Sequence, residues 1–318
     1  MTELVNAAQY PHFAKIVAEI LRQWPQHERY LTTNLGEREP ALLAHSERLS
    51  QMVWTLGSEK PDGFASLISD YRFLCEKIVL PEELFFRRNG RYRLTSFEDA
   101  LRTVYNDAPF MTRYMNGLLI SDIMWINHCR CMMHYVQQYL PSLSDNADLL
   151  EIGPGHGLLL YLADTAKNIA RTTAWDVSDA SLALAAHTLQ TLEAKRPVTF
   201  EKRNIFEPAI MAKENEGLFD GVVLSEVLEH LEEPLRAIQV LYHLCRPGGR
   251  VWINVPANSP APDHLFLVNK PDEAADLVRQ AGFEVADIAS YPTSGTTLER
   301  AIRQKLTVNC VVVGRKPS

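Results

Sequence analysis

The chain has 318 residues, a formal net charge of −7, 46% hydrophobic and 22% charged residues. That much apolar material fills a core, which excludes wholesale disorder, and 15 Gly and 18 Pro without a repeat exclude a collagen-like or low-complexity chain. The 32 basic residues form no dense run, so the footprint that grips a phosphate backbone is missing and nucleic acid is not expected as a partner.

The length predicts two domains, or one domain with a large extension. The start lacks a basic region followed by an apolar core, and the greasiest stretch, Gly117 to Ile126, is broken by Asp122. These features predict a cytoplasmic protein with no membrane partner. Cys75, Cys129, Cys131, Cys245 and Cys310 make an odd count without a CxxC pair, which predicts buried thiols rather than disulfides or a zinc knuckle. No carboxylate/His cluster has metal-ligand spacing, so no metal is expected.

Residues before about 140 read as helix. Phe13, Ile16, Val17, Ile20, Leu21 and Trp24 paint one apolar stripe; Leu42, Leu49, Met52, Val53 and Leu56 form a second, closed by Gly57. A third runs through Phe64, Leu67, Ile68, Tyr71, Leu74 and Ile78, where Pro81 is expected to stop it. Between Leu84 and Leu94, Asn89-Gly90 is the usual chemistry of a tight turn and predicts a small β-hairpin. Ser96 opens another helix, and one long helix is expected from Ala108 to Leu140. The polar, turn-rich residues 141–147 place a boundary there. It separates an all-α domain, 1–141, from a second domain, 142–318.

Beyond the boundary, short strands alternate with helices. The strands are Asp148–Ile152, Thr172–Val177, Val198–Lys202, Gly221–Ser225, Arg250–Val255, Glu284–Ser290 and Thr307–Val313, with helices at Asp179–Glu193, Pro234–Cys245 and Asp272–Ala281. This alternation predicts an α/β fold with a doubly wound, mostly parallel seven-stranded sheet, its last strand antiparallel.

Chemistry concentrates in Glu151-Ile-Gly153-Pro-Gly155-His-Gly157, between the first strand and its helix, where glycines let backbone approach a ligand. Asp176, ending the second strand, is placed to accept both hydroxyls of a ribose. Leu158 stands where a dinucleotide fingerprint wants a third-spaced glycine, and no GK[ST] follows, which sets aside NAD and a nucleotide-phosphate loop.

With Ala174-Trp-Asp-Val-Ser178, Phe219 to Leu231 containing Glu-Val-Leu-Glu-His, Arg246-Pro-Gly-Gly-Arg-Val251 and Ala281-Gly-Phe283, these blocks make the C-terminal part resemble a class I S-adenosylmethionine (SAM) dependent methyltransferase of the small-molecule type. The resemblance implies SAM as cofactor and S-adenosylhomocysteine as product. By the same resemblance Glu151, Gly153, Gly155 and Gly157 would line the methionine end, Asp176 would hold the ribose and Val177 would pack on adenine. It likewise implies that Asn204 and Ile205 stand by the adenine edge, with Asn204 replacing a common Asp, and that Ser225 and Glu226 flank the methyl group.

Methyl transfer needs alignment and, for a protonated acceptor, a base. Glu226, His230 and His264 are the catalytic candidates, with Glu229 and Asp263 nearby; Glu226 and His230 share a face if their segment is helical. His156 reads as an exposed turn residue. Tyr105, Arg113, Tyr114, Asn116 and His128 are substrate-binding candidates, with Arg113 either a clamp for a carboxylate or the partner of one of the chain's many acids. The resulting reading is O- or N-methylation of a small metabolite in secondary metabolism by a homodimer. The alternatives are C-methylation of an oxo acid and a catalytically silent SAM-binding partner.

Overall fold

The computed structural model describes residues 4–60 and 62–318. Among the described residues, eight α-helices precede the sheet: α1 (Pro11–Gln23), α2 (Glu28–Gly36), α3 (Pro40–Ser58), α4 (Phe64–Phe73), α5 (Leu80–Asn89), α6 (Phe97–Ala100), α7 (Ala108–Met124) and α8 (Ile126–His134). The strands β1 (Ala147–Ile152), β2 (Ile169–Asp176), β3 (Val198–Lys202), β4 (Phe219–Ser225), β5 (Cys245–Ala257), β6 (Glu284–Pro292) and β7 (Val308–Arg315) alternate with α9 (Leu158–Asp164), α10 (Asp179–Thr191), α11 (Pro234–Leu244), α12 (Pro271–Gln280) and α13 (Leu298–Gln304). The sheet order is β3-β2-β1-β4-β5-β7-β6, all parallel except β7. The order reverses between β1 and β4, and such a crevice beyond the strand ends is where open α/β sheets bind ligands.

The helical stripes form as their periodicity predicts, with Phe13, Ile16, Ile20, Leu42, Leu49 and Leu67 fully buried. Three expectations differ. Pro81 does not end the third helix, because α4 passes through a π-helical stretch, Leu74–Val79, straight into α5. The wider i→i+5 spacing avoids the clash a proline ring makes with the preceding turn. There is no hairpin at 84–94: Gly90, at φ 67, caps α5 with its N–H on the Phe86 carbonyl at 2.8 Å. Asn-Gly suits a hairpin turn because it tolerates positive φ, and a helix C-cap makes the same demand.

The long helix from Ala108 breaks at Trp125, which is extended. Buried Arg38 explains the break, since its guanidinium donates to the Ile123 and Met124 carbonyls at 2.7 and 3.3 Å, and Asn34 donates to Met124 at 2.9 Å. A cation among the last carbonyls is the favourable end of the helix dipole.

The strands alternate between two cores, as period-two geometry requires. Leu149, Val223, Trp252, Val311 and Val313 pack in one cluster with Tyr135, Tyr139 and the apolar faces of α1, α3 and α4. Leu150, Val222, Leu224, Val251, Ile253 and Val312 pack with α11 and α12 through Ile238, Leu241 and Val278. The five cysteines are unpaired thiols. Among the described residues no helix is long and apolar enough to cross a membrane.

Candidate active site

Gly153, Gly155 and Gly157 follow β1 with φ of 70, 53 and 80°, conformations that side chains resist. At Gly157 space is closed as well, since a Cβ would lie 2.9 Å from the Ala185 backbone. Glu151, at the end of β1, is buried with one carboxylate oxygen lacking any partner, and burial raises its pKa well above the usual carboxylate range. An orphan buried acid beside an open glycine turn fits the ammonium of the methionine part of SAM.

Asp176 ends β2 and accepts from the Ser178 N–H at 2.8 Å and the Ser181 hydroxyl at 2.6 Å, so its carboxylate is preset in direction. Val177 beside it is 48% exposed, an apolar surface for a base to cover. Asn204 is exposed, but its side-chain carbonyl accepts from the Phe206 N–H at 2.9 Å, while Ile205 is buried in the sheet core. Asp176→Ala is expected to weaken SAM binding by about 30-fold in isothermal titration, the equivalent of about 2 kcal/mol of charge-assisted hydrogen bonding. Asp176→Asn should recover part of this.

Beyond β4 the chain forms a 3-10 turn, Leu228–His230, rather than an α-helix, so Glu226 and His230 do not share a helix face. Glu226 instead takes a left-handed conformation, φ 52°. The loop after β5 is stitched to this turn, because the Leu265 and Phe266 N–H groups donate to the Glu229 carbonyl at 2.8 and 2.9 Å. His264 thereby meets His230 edge to face, ring centres 4.8 Å apart.

His230 Nδ1 stands 3.1 Å from the Asp263 main-chain carbonyl, 3.5 Å from its carboxylate and 3.2 Å from the Tyr105 hydroxyl. Donation from Nδ1–H to that carbonyl leaves Nε2 with the lone pair. Tyr114 donates to the other Asp263 oxygen at 3.2 Å. His264 gives Nδ1–H to the Ser259 carbonyl at 2.6 Å, and burial drives its pKa down to about 3, which makes it a poor proton acceptor.

Two sequence candidates fall elsewhere. Arg113 pairs with Asp70 at 2.8 Å and lies over the Phe73 ring, and Asn116 donates to the same Asp70 carboxylate at 2.8 Å. His156 is tied down rather than simply exposed, with Nε2 2.8 Å from Asp122 of α7. Asp122 also faces His128 at 3.5 Å. Its carboxyl is buried, which opposes ionisation, yet His156 and His128 together hold its pKa down to about 2.

Sequence reading missed Asp122, because its partners come from the glycine turn and α8. It also missed that Glu229, His230 and His264 bring donor atoms within 4.8 Å of one another, the one cluster among the described residues with the atoms to hold a metal ion. Both Glu229 carboxylate oxygens are buried without a hydrogen-bond partner. Burial, then the Glu226 charge, raises the Glu229 pKa well above the usual range.

Comparison with known proteins fits this geometry. Residues 124–304, which include α8, match the family described as "Methyltransferase domain". A protein named ubiquinone biosynthesis O-methyltransferase from Pseudomonas aeruginosa (strain UCBPP-PA14) is 29% identical over 184 residues, 52% of this chain and 76% of that protein. One of the same name from Nitrosospira multiformis is 26% identical over 188 residues, 53% and 75% of the two chains. The crystal structure of an O-methyltransferase family protein from Burkholderia thailandensis superposes with a TM-score of 0.53 at 14% identity, covering 82% of this chain and 74% of that one. The SAM-dependent methyltransferase SibL in its apo form gives 0.52 at 16% identity, covering 80% and 74%. These two structures show the shared fold. With the family matched over more than half of this chain, the chain belongs to the methyltransferase-domain family and is a SAM-dependent methyltransferase.

Proposed function

We propose that the enzyme methylates a hydroxyl oxygen of a small metabolite, with His230 as the group that takes the hydroxyl proton. The observation that carries the reading is the set of contacts at His230 Nδ1, which leaves Nε2, 3.9 Å from Glu229 Oε1, as the free ring nitrogen. Bound SAM supplies an electrophilic methyl on a sulfonium, and the rest of the work is alignment and proton removal. Asp263 fixes the imidazole, and Tyr114 fixes Asp263.

Tyr105 and Tyr114 come from the helical residues 1–141, which we read as the cover of the acceptor site. Burial raises the pKa of both phenols, which keeps them protonated. Oxygen is favoured over nitrogen by the names of the relatives, from which we take the reaction and not the acceptor.

The test is to incubate the protein with SAM and a panel of phenols, catechols, hydroxy acids and amines, with and without added magnesium or zinc. Products are then read by mass spectrometry. An O-methyl product with stoichiometric S-adenosylhomocysteine is expected. Products methylated only on nitrogen or carbon would overturn the reading, as would SAM binding without any turnover.

A further inference from the structure

The turn that follows β1 reads Gly153-Pro-Gly155-His-Gly157, and His156 is its one residue with a polar side chain. Backbone bonds hold the two ends, the Gly153 N–H on the Trp175 carbonyl and the Gly157 N–H on the Pro154 carbonyl, both at 2.8 Å. A polar side-chain grip on the turn therefore has to pass through His156.

Helix α7 supplies that grip. Met115 and Asp122 stand seven residues apart, two helical turns, and so share a face. His156 Nε2 lies 2.8 Å from Asp122 Oδ2, and Met115 Cε lies 3.4 Å from where a Cβ on Gly155 would be. An ionised carboxylate can only accept, so the ring nitrogen is the donor, in a bond stronger than a neutral one. His156 Nδ1 accepts from the N–H of Leu158 at 3.4 Å. The imidazole thus spans from α7 to the first residue of α9, whose N-cap, Gly157, has no side chain to offer.

The support behind Asp122 is itself fixed. Where α7 crosses α4, a Cβ on Gly117 would lie 2.9 Å from the Asp70 carbonyl, and Arg113 and Asn116 both donate to the Asp70 carboxylate at 2.8 Å. From the same helix Tyr114 donates to Asp263. One rod meets the glycine turn at one point and the loop of His264 at another.

Three glycines at positive φ make a turn with much backbone freedom to lose, and a ligand that needs it ordered binds more weakly where nothing orders it beforehand. We propose that Asp122 is a positioning residue for the cofactor, holding the glycine turn through His156 in the shape that receives the methionine end of SAM. The helical region then takes part in cofactor binding as well as in covering the acceptor. The inference rests on the reading that the glycine turn and Glu151 take that end of SAM.

The experiment is isothermal titration of the full chain with SAM and with 5′-methylthioadenosine, which lacks the amino-acid part, the latter directly or by displacement of SAM. It compares the wild type with Asp122→Ala, Asp122→Asn, His156→Ala and the double alanine variant, each checked for fold by circular dichroism. Asp122→Ala and His156→Ala should each raise the Kd for SAM by about tenfold, as expected for losing one charge-assisted hydrogen bond. Asp122→Asn keeps an acceptor in place and should bring SAM binding back to within about threefold of wild type. The Kd for 5′-methylthioadenosine should stay within about twofold throughout, because distant, independent sites do not couple. His128 also faces Asp122, at 3.5 Å, and the double variant separates the two partners. It should be no more than about twofold worse than the worse single variant, since residues that act through one another do not add.

An unchanged Kd for SAM in Asp122→Ala would overturn the inference, as would single effects that multiply in the double variant. Equal losses for both ligands would reduce the pair to a structural role and overturn it too. Should Asp122→Ala fail to fold, His156→Ala decides by the same comparison of the two ligands. A wild type that binds 5′-methylthioadenosine as tightly as SAM, or binds neither, would sink the reading of the glycine turn instead.

Discussion

Replacing His230 with asparagine should lower kcat by about 10² to 10⁴, the usual range for removing a general base, while leaving the Kd for SAM within about twofold. The asymmetry is the point. His230 sits in the loop side of the site, against Asp263 and Tyr105, whereas the groups we assign to the cofactor, Glu151 and Asp176, lie on β1 and β2. The measurement is steady-state kinetics with the acceptor identified from the panel, across pH. The KM for the acceptor should stay within about threefold while kcat falls, which distinguishes lost proton transfer from a misplaced acceptor. A fall in kcat below tenfold would mean that the proton leaves by another route.

Trp252→Ala should cost about 3–5 kcal/mol, the range for emptying an aromatic site in a core that cannot collapse. Trp252 is fully buried on β5 between Tyr135 and Tyr139, with ring centres 5.2 and 6.3 Å away, and its indole N–H donates to His134 Nδ1 at 3.1 Å. His134 passes the chain on through Nε2 to Asp287 at 2.8 Å. Urea unfolding would measure the loss, and Trp252→Phe should keep most of the packing while losing about 1 kcal/mol for the hydrogen bond. A cost under 1.5 kcal/mol for the alanine, in the same experiment, would mean that this layer does not hold helices and sheet together.

What was legible beforehand was whatever is encoded locally. The strand and glycine-turn pattern of β1 sits within a dozen residues, and the apolar stripe of α1 within fourteen or so, so periodicity and motif spacing reach them. What escaped is set by distant chain segments. Whether Arg113 clamps a substrate carboxylate or pairs with an acid of the chain is not decided locally, because the partner the fold gives it, Asp70, lies 43 positions earlier. The break at Trp125 depends on Arg38, 85 positions before the Ile123 carbonyl it binds. The Glu226 carboxylate accepts from Asn309, 83 residues later, and an asparagine within a β-strand carries no sign of such use. At Asn89-Gly90 the local signal was read correctly as positive φ, but one dihedral serves both a hairpin turn and a helix cap.

The shared aromatic layer has a consequence for engineering by recombination. Acceptor range in such enzymes invites grafting of the helical segment from one relative onto the sheet of another. A junction in the polar stretch at 141–147 looks safe on composition, yet it would take Tyr135 and Tyr139 from one parent and the tryptophan they clasp from the other. The natural splice is instead the extended residue Trp125, where the main chain already leaves helical geometry and α8 with its following turn stays with the strands it covers. A chimera cut there keeps the Asn127 contact to β7 within one parent and exchanges only the helices that present Tyr105 and Tyr114.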